Sequence, residues 1–170
     1  MSREVRAVAS ASIANLGVGF DVLGACLESP SDEVVARPTD AAGVTIARIT
    51  GDSGRLPHEA ARNTAGRAAQ EVLARSGARH GVELELVKGV PAAGGMGSSA
   101  ASAVAAAVAV DALVEARLDR TALLECALAG EQVATGDLHG DNVAPSLIGG
   151  LVLVRSLRPD FEELEELDCT

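Results

Sequence analysis

Pro91-Ala92-Ala93-Gly94-Gly95-Met96-Gly97-Ser98-Ser99-Ala100 is the stretch that decides how the rest of the chain is read. Before it, Val82, Leu84 and Leu86 alternate with Glu83 and Glu85, the pattern of a strand with one wet face. After it, Ser98 to about Arg117 is apolar nearly all round, which predicts a buried helix. Gly94, Gly95 and Gly97 let the backbone bend tightly and approach a ligand closely. Ser98 and Ser99 then stand where the helix begins, beside unpaired N–H groups and the positive end of its dipole. Such a turn can cradle a phosphate. It is not a Walker loop, because no lysine follows the last glycine. A serine-capped glycine turn with no ligand is the plainer reading, and spacing alone does not separate the two.

The flanking sequence predicts alternating strands and helices. Arg3 to Ala9 alternates charged and apolar residues as a half-buried strand does, and Ser10 to Asp21, with Asn15, Gly17 and Gly19, reads as a loop. Val22 to Leu27, Glu33 to Arg37 and Val44 to Ile49 read as further strands, together a meandering sheet. Asn63 can cap a helix from Thr64 to about Ser76, which Gly77 stops. Asp119 can cap the next, Arg120 to Ala134. Thr135 to Pro145 reads as a polar loop, and Leu151 to Val154 as an apolar strand. In the acidic tail from Pro159, Phe161, Leu164 and Leu167 recur at helical spacing, so a short amphipathic helix or a frayed end is expected. The order suggests an α+β layered domain.

Composition limits the function. The chain has 170 residues, 48% hydrophobic but only 1% aromatic, so its core is built from Ala, Val, Leu and Ile. A net charge of −10 argues against a nucleic-acid surface, which needs clustered Lys and Arg. Cys26, Cys126 and Cys169 show no metal or redox spacing and read as reduced thiols. The N-terminus lacks a hydrophobic signal core, and the longest apolar run, Ala100 to Val110, is too short to span a bilayer. A cytoplasmic protein with no membrane partner is expected.

Three segments together resemble the GHMP kinase superfamily and, within it, the homoserine kinases. The phosphate-loop pattern there is Pro-x-x-x-Gly-Leu-Gly-Ser-Ser-Ala, with Met96 here in place of Leu. Ala14-Asn15-Leu16-Gly17-Val18-Gly19-Phe20-Asp21 is similar to Ala-Asn-Leu-Gly-Pro-Gly-Phe-Asp, with Val18 in place of Pro. His139-Gly140-Asp141-Asn142-Val143-Ala144-Pro145 resembles His-x-Asp-Asn-Val-Ala-Pro. The resemblance implies a two-layer sheet-and-helix fold like that of ribosomal protein S5 domain 2. It also implies ATP and Mg²⁺ as cofactors, and L-homoserine as phosphoryl acceptor in threonine biosynthesis.

By that resemblance Pro91, Gly94, Gly95, Met96, Gly97, Ser98 and Ser99 hold ATP, with Asn63 and Lys88 as further nucleotide contacts. Ser99 and Glu131 hold Mg²⁺, and Asn15, Asp21, His139 and Asn142 hold the acceptor. The catalytic set is Ser99, Glu131 and Asn142. Each has a plainer alternative: a helix cap for Asn63, a solvated strand-end lysine for Lys88, an exposed helix carboxylate for Glu131. Asn15 and Asp21 can simply stabilise a turn, and His139 can be a surface loop residue. Mevalonate-type relatives carry an aspartate base eleven residues after the metal glutamate; here that spacing lands on Asn142. The implied mechanism is direct in-line attack, driven by positioning and charge neutralisation.

The resemblance covers the chain to about Ser156 but only the first part of a family member. Residues 1–156 are therefore expected to form the N-terminal ATP-binding domain, and 157–170 an acidic tail or truncated connection, with the C-terminal GHMP domain absent. Weak or no activity of the isolated chain follows, with a homodimer or a separately supplied lobe as possible partners. Two other readings stay open: a non-catalytic nucleotide-binding module, and a GHMP kinase for another small molecule such as mevalonate or a sugar.

Overall fold

A computed structural model describes residues 3–136 and 139–155 and, for the backbone alone, 164–167. Strands β1 (Val5–Leu16), β2 (Gly19–Thr39), β3 (Val44–Thr50), β4 (Gly81–Val87), β5 (Leu151–Val154) and β6 (Leu164–Leu167) form one sheet. Four α-helices, α1 (Thr64–Ser76), α2 (Ser98–Val114), α3 (Arg120–Thr135) and α4 (Gly140–Ile148), and a single 3-10 turn at Ala60–Arg62 complete the described fold. The sheet order is β3-β4-β2-β5-β6, with β1 also on β2. This is an α+β domain, as the alternation of elements implies. Among the described residues, no helix is long and apolar enough to cross a membrane.

Val34, Ala36, Val82, Leu84 and Leu86 point to the helical side of the sheet and are all but fully buried. Their register partners match: Val34 faces Leu86 and Ala36 faces Leu84 across an antiparallel ladder. Helix α2 lies at the centre of the molecule, against β1 and β2 on one side and α1, α3 and α4 on the other. Ala100, Ala103, Ala105, Ala106, Ala107 and Ala109 on it are completely buried. With methyl side chains all round, neighbours approach from every direction, which explains a helix with no wet face.

The expected caps are present. Asn63 Oδ1 accepts hydrogen bonds from the N–H groups of Ala65 (3.0 Å) and Gly66 (3.3 Å), and Asp119 Oδ1 accepts from Ala122 N–H at 2.8 Å. Gly77 ends α1 in the left-handed conformation, φ 67°. Helix α2 stops at Val114, slightly before the expected Arg117.

Several expectations need correction. The opening half is not a meander: β4 inserts between β2 and β3, and β3 runs parallel to β4 with α1 as the crossover. The segments Val22–Leu27 and Glu33–Arg37 belong to one long strand, β2, and the supposed loop from Ser10 is largely β1. Between the Ser10–Ser31 and Ser12–Cys26 pairs the register shifts, which lets two long strands bend around α2. Much of the expected loop Thr135–Pro145 is helix α4; Asp137 and Leu138 lie outside the described residues. In the tail, Leu164–Leu167 pairs antiparallel with β5 instead of forming a helix, while Phe161 lies outside the described residues. Cys26 and Cys126 are free thiols, and Cys169 is outside that range.

Candidate active site

The glycine loop leaves β4 and re-enters the core as the first turn of α2. It turns on three left-handed residues, Ala93 (φ 59°), Gly95 (φ 68°) and Gly97 (φ 60°). Gly97 must be glycine for a second reason: a Cβ there would lie 2.3 Å from Ser12 Oγ and 2.9 Å from Asn142 Oδ1. The Ser98 hydroxyl donates to the Val90 carbonyl at 3.0 Å, and Ser12 N–H donates to the Met96 carbonyl at 3.2 Å. Helical bonding starts with Ala101 N–H to Gly97 O at 2.9 Å. The amides of Ser98, Ser99 and Ala100 precede that bond, so the helix offers them no acceptor.

Ser98 and Ser99 line a cleft of about 650 Å³. Its walls come from the glycine loop, from Ala14 and Asn15 of β1, from Leu56, Pro57, Arg62 and Asn63 ahead of α1 and Thr64 at its start, from Lys88 just after β4, from the last turns of α3, and from Asn142. A cleft of this size suits a nucleotide-sized ligand.

Glu131 projects from α3 into this cleft and is 5% exposed. Its Oε1 accepts from the Ser99 hydroxyl at 2.8 Å, while Oε2 is buried with no hydrogen-bond partner. Burial pushes its carboxyl above the usual range, and the Ser99 bond only partly opposes this. Glu131 is thus not the exposed helix carboxylate of the plainer reading.

Asn142 stands in the first turn of α4. The Ser12 hydroxyl points at both its backbone carbonyl and its Oδ1, each 3.0 Å away. Ser12 therefore joins β1, the glycine loop and α4 at one completely buried point.

Asn15 and Asp21 both have left-handed backbones, φ 59° and 58°. Asp21 N–H donates to Asn15 Oδ1 at 2.9 Å, so the side-chain-stabilised turn is real. His139 Nδ1 lies 3.8 Å from Asp21 Oδ1, with both side chains about half exposed. Asn15 and Asn142 line the cleft; Asp21, His139 and Pro91 do not.

Asn63 and Lys88, both expected to contact nucleotide, line the cleft and are also bonded to protein groups. Asn63 uses its oxygen to cap α1 and its Nδ2 to bond the Pro57 carbonyl at 2.9 Å. Lys88 is not a solvated lysine: its side chain is 4% exposed and ion-paired with Asp32. Asp32 and Ser12 were invisible to motif reading. Neither falls in a recognisable pattern, and only the fold brings them under the loop.

The model of the GHMP kinases N terminal domain matches residues 63–150, from the α1 cap to the turn before β5. A homoserine kinase of Xanthomonas campestris is 50% identical over 151 residues, 89% of this chain and 47% of that protein. The crystal structure of a homoserine kinase from Cytophaga hutchinsonii superposes with a TM-score of 0.91 at 44% identity, covering 98% of this chain and 52% of that one. The mevalonate kinase of Methanococcus jannaschii shares the fold, with a TM-score of 0.74 at 11% identity. The chain spans about half the length of the curated relatives it matches.

Proposed function

The chain belongs to the GHMP kinases through their N-terminal domain, and from that premise we propose that it builds the ATP-binding part of a homoserine kinase site. The reaction is transfer of the γ-phosphoryl group of ATP to the hydroxyl of L-homoserine. The observation that carries the reading is Glu131 Oε2, a buried carboxylate oxygen with no hydrogen-bond partner, on a residue that lines the cleft together with Ser98 and Ser99 at the start of α2.

The loop amides and the dipole of α2 supply fixed positive potential for the triphosphate. Ser99 Oγ and Glu131 fit Mg²⁺, a hard cation that takes few protein oxygens when phosphates complete its shell. When bound, Mg²⁺ neutralises charge on the phosphates. Asn142 cannot act as a base. Its Oδ1 is held by Ser12, which leaves its amide N–H groups to orient the acceptor hydroxyl. Asp21, with Asn15 and His139 beside it, offers a carboxylate to the acceptor's ammonium. Rate enhancement then comes from positioning and electrostatics without a strong general base.

The test has two stages. Calorimetric titration should show Mg·ATP binding to this chain. ADP formation should then depend on L-homoserine, weakly or not at all with the chain alone, and clearly when the second half of the Xanthomonas relative is joined to it. Transfer to mevalonate in preference to homoserine overturns the substrate. Nucleotide binding without transfer in either form overturns the kinase reading.

A further inference from the structure

Asp32 and Lys88 form an ion pair beneath the glycine loop, with side chains 1% and 4% exposed. Burying an ion pair adds little net stability, because desolvation offsets most of the attraction. The hydrogen bonds around it suggest a different role. Asp32 Oδ1 accepts from the N–H groups of Gly89 and Val90, each at 3.0 Å. Asp32 Oδ2 accepts from the Ser102 hydroxyl at 2.7 Å and from the Lys88 ammonium. Lys88 also donates to the Ser98 carbonyl at 2.8 Å and to Ser102 Oγ at 2.6 Å.

Gly89 and Val90 lead into the glycine loop; Ser98 and Ser102 lead out of it. The pair therefore clamps both ends of the span 91–97, and sets where the first-turn amides of α2 point. An ammonium has three N–H donors, and those of Lys88 are matched by these three oxygens.

We propose that Asp32 and Lys88 are positioning residues that set the phosphate loop, and that Lys88 is not itself a nucleotide ligand. This rests on the nucleotide-binding reading above. The two roles for Lys88 differ in sign at Asp32. Were the ammonium a phosphate ligand tempered by Asp32, Asp32→Asn would leave its charge uncompensated and tighten Mg·ATP. As a clamp, Asp32→Asn loosens the loop and weakens Mg·ATP.

The experiment compares the full chain with Asp32→Asn, Lys88→Met and the double variant, by amide hydrogen exchange and by titration with Mg·ATP and with adenosine. The double variant leaves no unpaired buried charge, so it remains informative where a single variant fails to fold. We expect exchange at residues 93–100 to quicken about tenfold while α1 and α3 stay protected. Mg·ATP affinity should fall about tenfold, adenosine affinity should hold, and the double variant should lose no more than the worse single one. Tighter Mg·ATP binding by Asp32→Asn, or unchanged loop exchange in the double variant, overturns the proposal. A wild-type chain that binds no Mg·ATP overturns the nucleotide reading instead, and loop exchange still decides whether the pair sets the loop.

Discussion

Replacing Glu131 by Gln should make the ligand-free protein more stable and, under the proposed function, weaken its hold on Mg·ATP. Glu131 Oε2 is buried without a partner, and a buried, unsatisfied acceptor costs ~1–3 kcal/mol, more when charged. Gln keeps the shape and an oxygen for the Ser99 hydroxyl, but carries no charge. Its amide is still unmatched on one side, so the gain should sit near the lower bound, about 1 kcal/mol. For a domain of this size that is a rise in Tm of about 2–4 °C. The sign of the pH dependence follows from the raised carboxyl. Any stability this group retains is fully present below its unfolded pKa and lost as pH rises through its folded value. The advantage of the variant should therefore be clear at pH 8 and fade toward pH 5. In the presence of Mg·ATP the order reverses. Losing one charged oxygen should weaken Mg·ATP by roughly 10- to 100-fold, so the ligand-induced rise in Tm expected of the wild type should collapse. Thermal melts at the two pH values, each with and without Mg·ATP, measure all four quantities. A variant that is less stable without ligand and still responds fully to Mg·ATP would refute the reasoning.

Other outcomes can be checked with similar means. Gly97→Ala places a methyl 2.3 Å from Ser12 Oγ at a left-handed backbone position, so Mg·ATP titration should show at least a tenfold loss along with a lowered Tm. Asp52 accepts from Leu56 N–H at 3.0 Å and Gly54 N–H at 3.1 Å, which hold its carboxyl below the usual range. Its stabilising contribution is present above the unfolded pKa and lost as pH falls through the lower folded value. Asp52→Asn should therefore melt earlier than wild type at pH 7, with the gap closing below about pH 4. The Cys126 thiol is pushed by burial up to about 11, so mass spectrometry after iodoacetamide at pH 8 should find it unmodified in the native protein and modified after unfolding.

Elements set by neighbouring residues were legible in the sequence. The α1 and α3 caps, the Gly77 stop and the β4 alternation depend on side chains within a few positions of the backbone they satisfy. Helix α4 was not legible because most of its local signals oppose it: Gly140 and Asn142 stand in its first turn and Pro145 lies within it. It forms because Val143 and Ala144 are completely buried against the core, a tertiary effect with no trace in propensity. The placement of β4 between β2 and β3 was equally hidden, since alternation says which residues face inward and nothing about which strand lies beside them. In the site, the glycine loop was found through its motif and Glu131 through the family resemblance, whereas Asp32 is 56 residues from Lys88 and carries no motif at all. Lys88 shows the converse: the family resemblance implied a nucleotide contact, and only the packing around it revealed three protein oxygens already in place on a residue that also lines the cleft.

Ser12 holds the glycine loop by its N–H and the start of α4 by its hydroxyl. Under the proposed function, one wall of the nucleotide pocket and one wall of the acceptor pocket are thus fastened to the same buried residue. A movement that seats ATP tugs on the residue that orients the hydroxyl, and the reverse holds by thermodynamic necessity. The two substrates should therefore bind with synergy: whatever factor homoserine adds to ATP affinity, ATP must add to homoserine affinity. Ser12→Ala, which keeps the N–H bond and cuts the hydroxyl bond, should bring that shared factor toward one.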